Sequence, residues 1–182
     1  MKFPPIDPRR AVTYPLEQRK SKVNTEGLGK VWKAGGTFGS FIRSLPAILA
    51  GSEIREVATL IAKAYRTGCP IVLGMGAHPL KVGLSPIIVD LIERGVISAV
   101  ALNGAGIVHD FELAFQGATS EDVGASLGDG SFGMATETGE FLNEAIERGV
   151  LQGDVGIGRS VGEYIIKKGL PYAQLSVLAT CA

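Results

Sequence analysis

The sequence predicts an α/β fold in which a parallel β-sheet is flanked by helices. Two short apolar segments, 70–75 and 96–102, have the length and composition of strands that are buried on both faces. Between them, residues 80–94 carry apolar side chains at helical spacing, and Gly95 is a typical helix stop. A strand, a helix and a second strand within about 35 residues form a βαβ unit, in which the two strands are parallel.

Helices are also expected on the N-terminal side of this unit. One is predicted over residues 38–50, after a Gly-Gly-Thr segment. For the next, Ser52 is a candidate N-cap and Gly68 a candidate end. Apolar side chains recur in this second helix at the spacing of one helical face, at Ile54, Val57, Ala58, Ile61, Ala62 and Tyr65.

The C-terminal part is expected to contain two helices, at 137–148 and 158–168, and a third strand at 172–179. Because a parallel strand is normally covered by the helix that follows it, we expect the domain to be incomplete at its C-terminus. The uncovered strand and a proline-rich extended arm over residues 1–30 would both expose apolar surface. We therefore expect a homo-oligomer, a tetramer or a dimer of dimers, with residues 31–182 forming the α/β domain.

Composition narrows the classes of partner. Lysine plus arginine equals aspartate plus glutamate, at 18 each. The chain as a whole therefore has no net basic field to hold nucleic acid or an anionic membrane, and neither is expected as a partner. No apolar run reaches the roughly 18 residues of a membrane span. The two cysteines, Cys69 and Cys181, lack the spacing of a redox or metal motif, so a reduced cytoplasmic protein is expected.

Polar side chains follow both strands of the predicted βαβ unit. A glycine loop, 74–83, comes after the first strand, and a second such loop, 103–106, comes after the next. The carboxyl ends of parallel strands lie at one edge of a sheet, where ligands of open α/β proteins bind. The residues expected to converge on a crevice there are His78, Lys81, Asn103, His109, Asp110 and Glu112.

The roles of these residues have alternatives. Glycines let backbone N–H groups approach a phosphate, but Gly74-x-Gly76 lacks the third glycine of a dinucleotide fingerprint, and plain tight turns are the alternative. His109 is a candidate general acid–base group or a helix-start histidine that bonds the backbone. Asp110 belongs to the site or caps a helix that begins near Phe111. A metal site at the two histidines and the neighbouring carboxylates has no supporting spacing.

Two later segments are also open to interpretation. The segment Thr-Ser-Glu-Asp at 119–122 is typical of a helix start. The segment Asp-Gly-Ser-Phe-Gly at 129–133 forms either a wall of the crevice or a turn.

Residues 72–112, VLGMGAHPLKVGLSPIIVDLIERGVISAVALNGAGIVHDFE, resemble the core of the deoxyhypusine synthase family. In that family a strand leads into a Gly-x-Thr-Ser-Asn-type loop and a helix. A second strand then leads into a Thr-Ala-Gly-Gly-Val-Glu-Glu-Asp-type loop. Upstream, KAGGTFGSFIRSL at 33–45 is similar to the family's Thr-Gly-Phe-Gln-Ala segment and the helix after it. The resemblance covers residues 29 to 115.

The resemblance implies a Rossmann-like sheet, bound NAD, transfer of an aminobutyl group from spermidine, and a tetramer with sites between subunits. By position it implies NAD contacts at Gly76, Ala77, His78, Val82, Asn103, Gly104 and Ala105. It places His109 where the family has a functional glutamate, and Asp110 at the acid that follows. The family's imine-forming lysine would lie downstream of Ala182.

The function implied is that of an NAD-dependent transferase acting on an amine or polyamine-like substrate, with His109 and Asp110 as its catalytic residues. The alternative is a nucleotide-binding protein, regulatory rather than catalytic, on the same fold, because a fold does not determine a function.

Overall fold

The computed structural model describes residues 3–5, 7–128, 130–153 and 155–182. The chain forms two compact units, Met1–Leu60 and Ile61–Ala182. The predicted boundary between an arm and a domain, at residue 30, lies within the first of these units.

The first unit is built from short helices. Three 3₁₀ helices, Pro8–Arg10, Leu16–Gln18 and Thr25–Gly27, precede α1 (Phe38–Ser44) and the beginning of α2 (Leu49–Arg66). The single helix predicted over 38–50 is therefore wrong: α1 ends at Ser44, since Pro46 disfavours helical backbone in the residue before it. The guanidinium of Arg55 donates hydrogen bonds to carbonyls at the end of α1 and just after it, those of Ile42, Leu45 and Pro46.

Helix α2 begins earlier than predicted and presents its apolar side chains to solvent. Ser52, the predicted N-cap, lies inside the helix and donates its hydroxyl to the Leu49 carbonyl at 2.9 Å. The turn after the helix ends as predicted at Gly68, which has a left-handed φ of 67°. Val57 and Tyr65 are about half exposed, at 53% and 52%.

The second unit contains the predicted βαβ arrangement. Strands β1 (Val72–Met75) and β2 (Ala99–Leu102) pair in parallel, with Val72 opposite Ala99 and Met75 opposite Leu102. Two helices, α3 (His78–Lys81) and α4 (Ser85–Glu93), connect them. The larger prediction, a Rossmann-like parallel sheet with flanking helices, is wrong. Helix accounts for 57% of the structure and strand for 5%, and the sheet of the described residues has these two strands alone.

The remaining elements are all helices: α5 (Gly104–Gln116), α6 (Val123–Ser126), α7 (Thr136–Gln152), α8 (Ile157–Lys168) and α9 (Val177–Cys181). The helices predicted over 137–148 and 158–168 are confirmed, with α7 extending further. The predicted helix start near Phe111 is wrong, because Asn103 caps α5 by accepting the N–H of Gly106 at 2.9 Å.

The third strand predicted over 172–179 is wrong as well. Residues Ala173–Leu175 form a 3₁₀ helix, and α9 follows. Ser176 caps α9 by accepting the N–H of Ala179 at 2.9 Å. The segment is short and mostly apolar, a pattern shared by buried strands and buried helices.

Two apolar clusters form the core of the second unit, and α9 contributes to both. The first lies between α5, α7, α8 and α9, and consists of Phe111, Ala114, Leu142, Ala145, Val161, Tyr164, Ile165 and Leu178. The second consists of Leu80, Ile88, Val89, Ile97 and Val177. Adjacent residues of α9, Val177 and Leu178, therefore pack into different clusters. Close packing of α8 on α9 requires Gly162, where a Cβ atom would lie 2.2 Å from the carbonyl oxygen of Leu178.

Candidate functional site

The two glycine loops meet at the carboxyl ends of β1 and β2, as expected for parallel neighbours. A Cβ atom at Gly76 would lie 3.6 Å from the side-chain nitrogen of Asn103. Gly74 and Gly104 both face open space at the position of a Cβ atom. The structure therefore brings together the two loops that carry the expected cofactor contacts, and the second of them forms the N-terminus of α5.

The other residues assigned to cofactor contact flank this meeting point. Ala77 precedes α3, His78 is its first residue, and Val82 follows its last. Gly104 and Ala105 are the first two residues of α5. Helix α3 packs against α5.

Asp110 lies in the core and not in the crevice. It is fully buried and accepts three hydrogen bonds at the N-terminus of α9. The hydroxyl of Ser176 donates to it at 2.6 Å, and the N–H groups of Val177 and Leu178 donate at 2.8 and 3.1 Å. Burial raises the pKa of this carboxyl, and the three hydrogen bonds act against that rise. This geometry gives Asp110 a structural role, the capping of a helix distant in sequence.

His109 lies on a different face of α5 from Asp110 and joins a hydrogen-bonded cluster. Its Nδ1 lies 2.6 Å from the hydroxyl of Thr119, which donates to Glu112 Oε2 at 2.5 Å. The other carboxylate oxygen of Glu112 accepts from Thr138 on α7 at 3.3 Å. The side chains of His109 and Glu112 are 18% and 17% exposed. The structure thus confines an imidazole and a carboxylate one helical turn apart.

The cluster determines which imidazole nitrogen carries a proton. A threonine hydroxyl has one hydrogen, and that of Thr119 is donated to Glu112. With Glu112 ionised and holding this hydrogen, the Thr119 oxygen is left to accept from His109, which assigns the ring proton to Nδ1. In neutral imidazole the remaining lone pair is then on Nε2. The Glu112–Thr119–His109 arrangement orients the ring and leaves Nε2 able to accept a proton.

Beside this cluster lies a cavity of about 410 Å³. Its walls come from α5, α7 and the segment between them, and are formed by Val108, His109, Glu112, Glu121, Phe132, Gly133, Ala135, Thr138, Gly139, Leu142 and Asn143. A second cavity, of about 390 Å³, shares four of these residues: Glu112, Glu121, Ala135 and Thr138. Among the described residues, neither wall contains a lysine or an arginine, and each contains the carboxylates of Glu112 and Glu121.

The chain closes this space with two backbone turns in the left-handed region. Gly117, with a φ of 73°, ends α5 and reverses the chain. Ser120 then takes a φ of 68°, which is uncommon for a residue with a side chain. Its neighbours on either side are Thr119, which bonds Glu112, and Glu121, which accepts the N–H of Gly133 at 2.9 Å.

No protein-family model, curated protein or solved structure matches the chain. The interpretation of the cavity therefore depends on its own residues.

The sequence-predicted site residues are divided among three places. The first place is the pair of glycine loops. The second is the core, where Asp110 caps α9. The third is the cavity, which contains His109 and Glu112. The wall of the His109 cavity contains no residue of either glycine loop, and neither His78 nor Lys81. Among the described residues, no three of the His, Cys, Asp and Glu side chains are grouped as a metal site.

Residues that the sequence analysis did not assign to the site complete the cavity and its hydrogen-bonded cluster, chiefly Thr119, Glu121 and Thr138. The segment at 119–122 was interpreted as a helix start, and Asp122 does cap α6 by accepting the N–H of Gly124. Phe132 and Gly133 lie in the cavity wall. They belong to the segment 129–133, for which the sequence left open a crevice wall or a turn. The first residue of that segment, Asp129, lies outside the described residues.

None of the helices in the described part of the chain has the length and apolarity to cross a membrane.

Proposed function

We propose that the His109 cavity binds an amine or polyamine-like cation as the substrate of an NAD-dependent aminoalkyl transfer. The observation that carries the proposal is the pair of carboxylates, Glu112 and Glu121, in a wall that contains no lysine or arginine. An ammonium group gains attraction from both carboxylates, whereas an anion would meet uncompensated negative charge.

The remaining wall residues suit an alkyl amine. The volume of about 410 Å³ is within the range of small-molecule sites. Val108 and Leu142 supply apolar contact for methylene groups. The ring of Phe132 can attract a cation through its π face. The second cavity, of about 390 Å³, is lined by the same two carboxylates and would offer a second place for an ammonium group of a diamine or triamine.

His109 would act on the proton of the bound amine. A protonated amine has no lone pair, and oxidation at the adjacent carbon requires one. Nε2 can take that proton while Thr119 and Glu112 hold Nδ1–H and stabilise the imidazolium that forms. The role is that of a general base whose orientation is set by a carboxylate acting through a hydroxyl.

The glycine loops at 74–83 and 103–106 would bind the phosphate part of a dinucleotide. They adjoin one another at the N-terminus of α5, where a Cβ atom at Gly104 would meet open space and where a helix N-terminus favours a phosphate. NAD, when bound, would supply the acceptor for the hydride that leaves the amine carbon. The residues of the chain would bind and orient the phosphates.

One observation favours the second candidate function, a nucleotide-binding protein without catalysis. The wall of the amine cavity and the glycine loops have no residue in common. Because the two places are separate, the loops could bind a nucleotide without any reaction taking place at His109.

Replacing Glu121 with glutamine is expected to weaken spermidine binding by at least roughly tenfold, because one charged partner of the ammonium is lost. Titration calorimetry of the purified chain with spermidine measures the change. Glu121→Gln leaves the Thr119–Glu112 contact in place, so the His109 cluster is not disturbed. Glu140→Gln, on an exposed position of α7 outside both cavity walls, is the matched control. Equal affinity of the two variants, or no binding by the unmodified chain, would refute an amine site here.

Replacing His109 with asparagine is expected to abolish amine oxidation while leaving spermidine binding intact. The asparagine amide can still donate to Thr119, but nothing replaces Nε2. Loss of a general base lowers turnover by roughly 10²–10⁴-fold. Spermidine-dependent formation of NADH, followed by absorbance, is the measurement. Unchanged turnover in His109→Asn would exclude this histidine as the base. Spermidine binding without NADH formation by the unmodified chain would favour the non-catalytic candidate.

A further inference from the structure

The two units of the chain carry opposite charge, although the chain as a whole is neutral. Residues 1–60 contain ten lysines and arginines against five aspartates and glutamates, a net charge of +5. Residues 61–182 contain eight against thirteen, a net charge of −5. The expectation that the chain has no basic field therefore does not apply to the first unit taken by itself.

Within the first unit, a cavity of about 550 Å³ combines three cations with the only tryptophan of the chain. Its wall is formed by Lys30, Val31, Trp32, Lys33, Gly36, Ser40, Arg43 and Ser44. It contains no carboxylate. Over the described part of the chain, none of the three cations is in an ion pair. Their charge is thus available to a ligand.

Trp32 is held in place as a rigid aromatic surface. Its indole N–H donates to the hydroxyl of Ser40 at 3.0 Å, and that hydroxyl donates to the Thr37 carbonyl at 2.6 Å. The ring of Phe41 contacts it edge to face, with 6.3 Å between ring centroids. Gly36 allows the chain to pass the indole, because a Cβ atom there would lie 2.8 Å from the indole nitrogen. The indole nevertheless remains 40% exposed.

The cations lie on the two sides of the cavity. Lys30 and Lys33 belong to the segment before α1, and Arg43 to the last turn of α1. The N–H of Lys30 donates to the Ser44 carbonyl at 2.8 Å, which joins that segment to the end of the helix. A backbone hydrogen bond therefore joins the two segments that carry the cations.

We propose that this cavity binds a nucleoside monophosphate. The phosphate would be held by Lys30, Lys33 and Arg43, and the base would stack on Trp32. Lysine and arginine are the side chains that bind phosphate, and a fixed, exposed indole is a surface on which any base can stack. The site is separate from the acidic amine cavity in residues and in the sign of its charge, and it does not depend on the proposed transferase function.

The position of Trp32 in the cavity wall allows ligand binding to be measured by tryptophan fluorescence. Because the chain has one tryptophan, emission excited at a wavelength that its four tyrosines do not absorb reports on this cavity alone. Titration with adenosine monophosphate is expected to quench the emission saturably. Adenosine, which lacks the phosphate, and inorganic phosphate, which lacks the base, are each expected to bind at least about tenfold more weakly.

A pair of double variants tests the cations. Lys33→Ala with Arg43→Ala is expected to weaken the binding of adenosine monophosphate by at least about tenfold. Lys20→Ala with Lys22→Ala removes the same charge from exposed positions of the same unit outside the cavity wall, and is expected to leave binding unchanged. Absence of saturable quenching overturns the proposal. Equal weakening by both double variants, or equal affinity for inorganic phosphate and the nucleotide, overturns it too.

Discussion

Replacing Gly162 with alanine is expected to lower the free energy of unfolding of the second unit by about 3 kcal/mol, the upper end of the cost of overpacking a core. The new Cβ atom would lie 2.2 Å from the Leu178 carbonyl oxygen and 2.8 Å from the Ala182 Cβ. Neither is the movable end of a long side chain, so relief requires α8 and α9 to separate. Denaturation in urea, followed by circular dichroism, measures the change.

Gly158→Ala is the matched control for this substitution, one turn earlier on α8. There the new Cβ atom would lie 3.7 Å from Leu178 Cδ2, an ordinary van der Waals distance. Alanine is also the better helix former by up to about 1 kcal/mol. We expect Gly158→Ala to be neutral or slightly stabilising. A similar loss of stability in both variants would contradict the close packing of α8 on α9.

Replacing Asp110 with asparagine is expected to lower the free energy of unfolding by about 1–3 kcal/mol, because the amide cannot accept all three hydrogen bonds. One N–H of Val177 or Leu178 would then face a donor inside the core. Asp110→Ala, which removes both oxygens, is expected to cost more. Asp90→Asn is the matched control. It removes one carboxylate charge from an exposed residue of α4 that is not part of the Asp110 hydrogen bonds, and it is expected to change the free energy of unfolding by about 0.5 kcal/mol or less.

The stability difference between the unmodified chain and Asp110→Asn is expected to depend on pH. Burial raises the pKa of Asp110 above its ordinary value of 3.8. The folded state therefore holds this proton more tightly than the unfolded state. The resulting contribution to stability is fully present below pH 3.8 and is lost as the pH rises through the raised pKa. Urea denaturation at a series of pH values should show the difference narrowing as the pH rises, and a widening would contradict this direction.

Local signals were sufficient for several elements of the fold. The apolar segments at 70–75 and 96–102 do contain the two parallel strands, and Gly68 and Gly95 end their helices in left-handed conformations. The error at 172–179 has a non-local cause. The N–H groups of Val177 and Leu178 are accepted by Asp110, which lies 67 and 68 residues earlier in the chain. No local pattern around α9 contains that information.

The sequence predicted the part of the site that depends on local spacing and missed the part that depends on distant segments. His109 and Glu112 lie one turn apart on a helix, so their proximity follows from helical spacing. Asp110 follows His109 by one residue, and this rotates it by about 100° around α5 and into the core. The partners Thr119 and Thr138 come from a turn and from α7, and sequence spacing does not indicate where those segments pack.

The position of α9 in both apolar clusters also determines the order in which the second unit can form. During synthesis, α5, α7 and α8 are complete before Val177 and Leu178 exist. Neither cluster is complete in the nascent chain until Val177 and Leu178 have left the ribosome. Until then the faces that will pack against α9 are exposed to water, and transiently exposed apolar surface favours aggregation and proteolysis. The buried carboxylate of Asp110 would spend that interval hydrated and ionised, and would lose its water only when α9 docks.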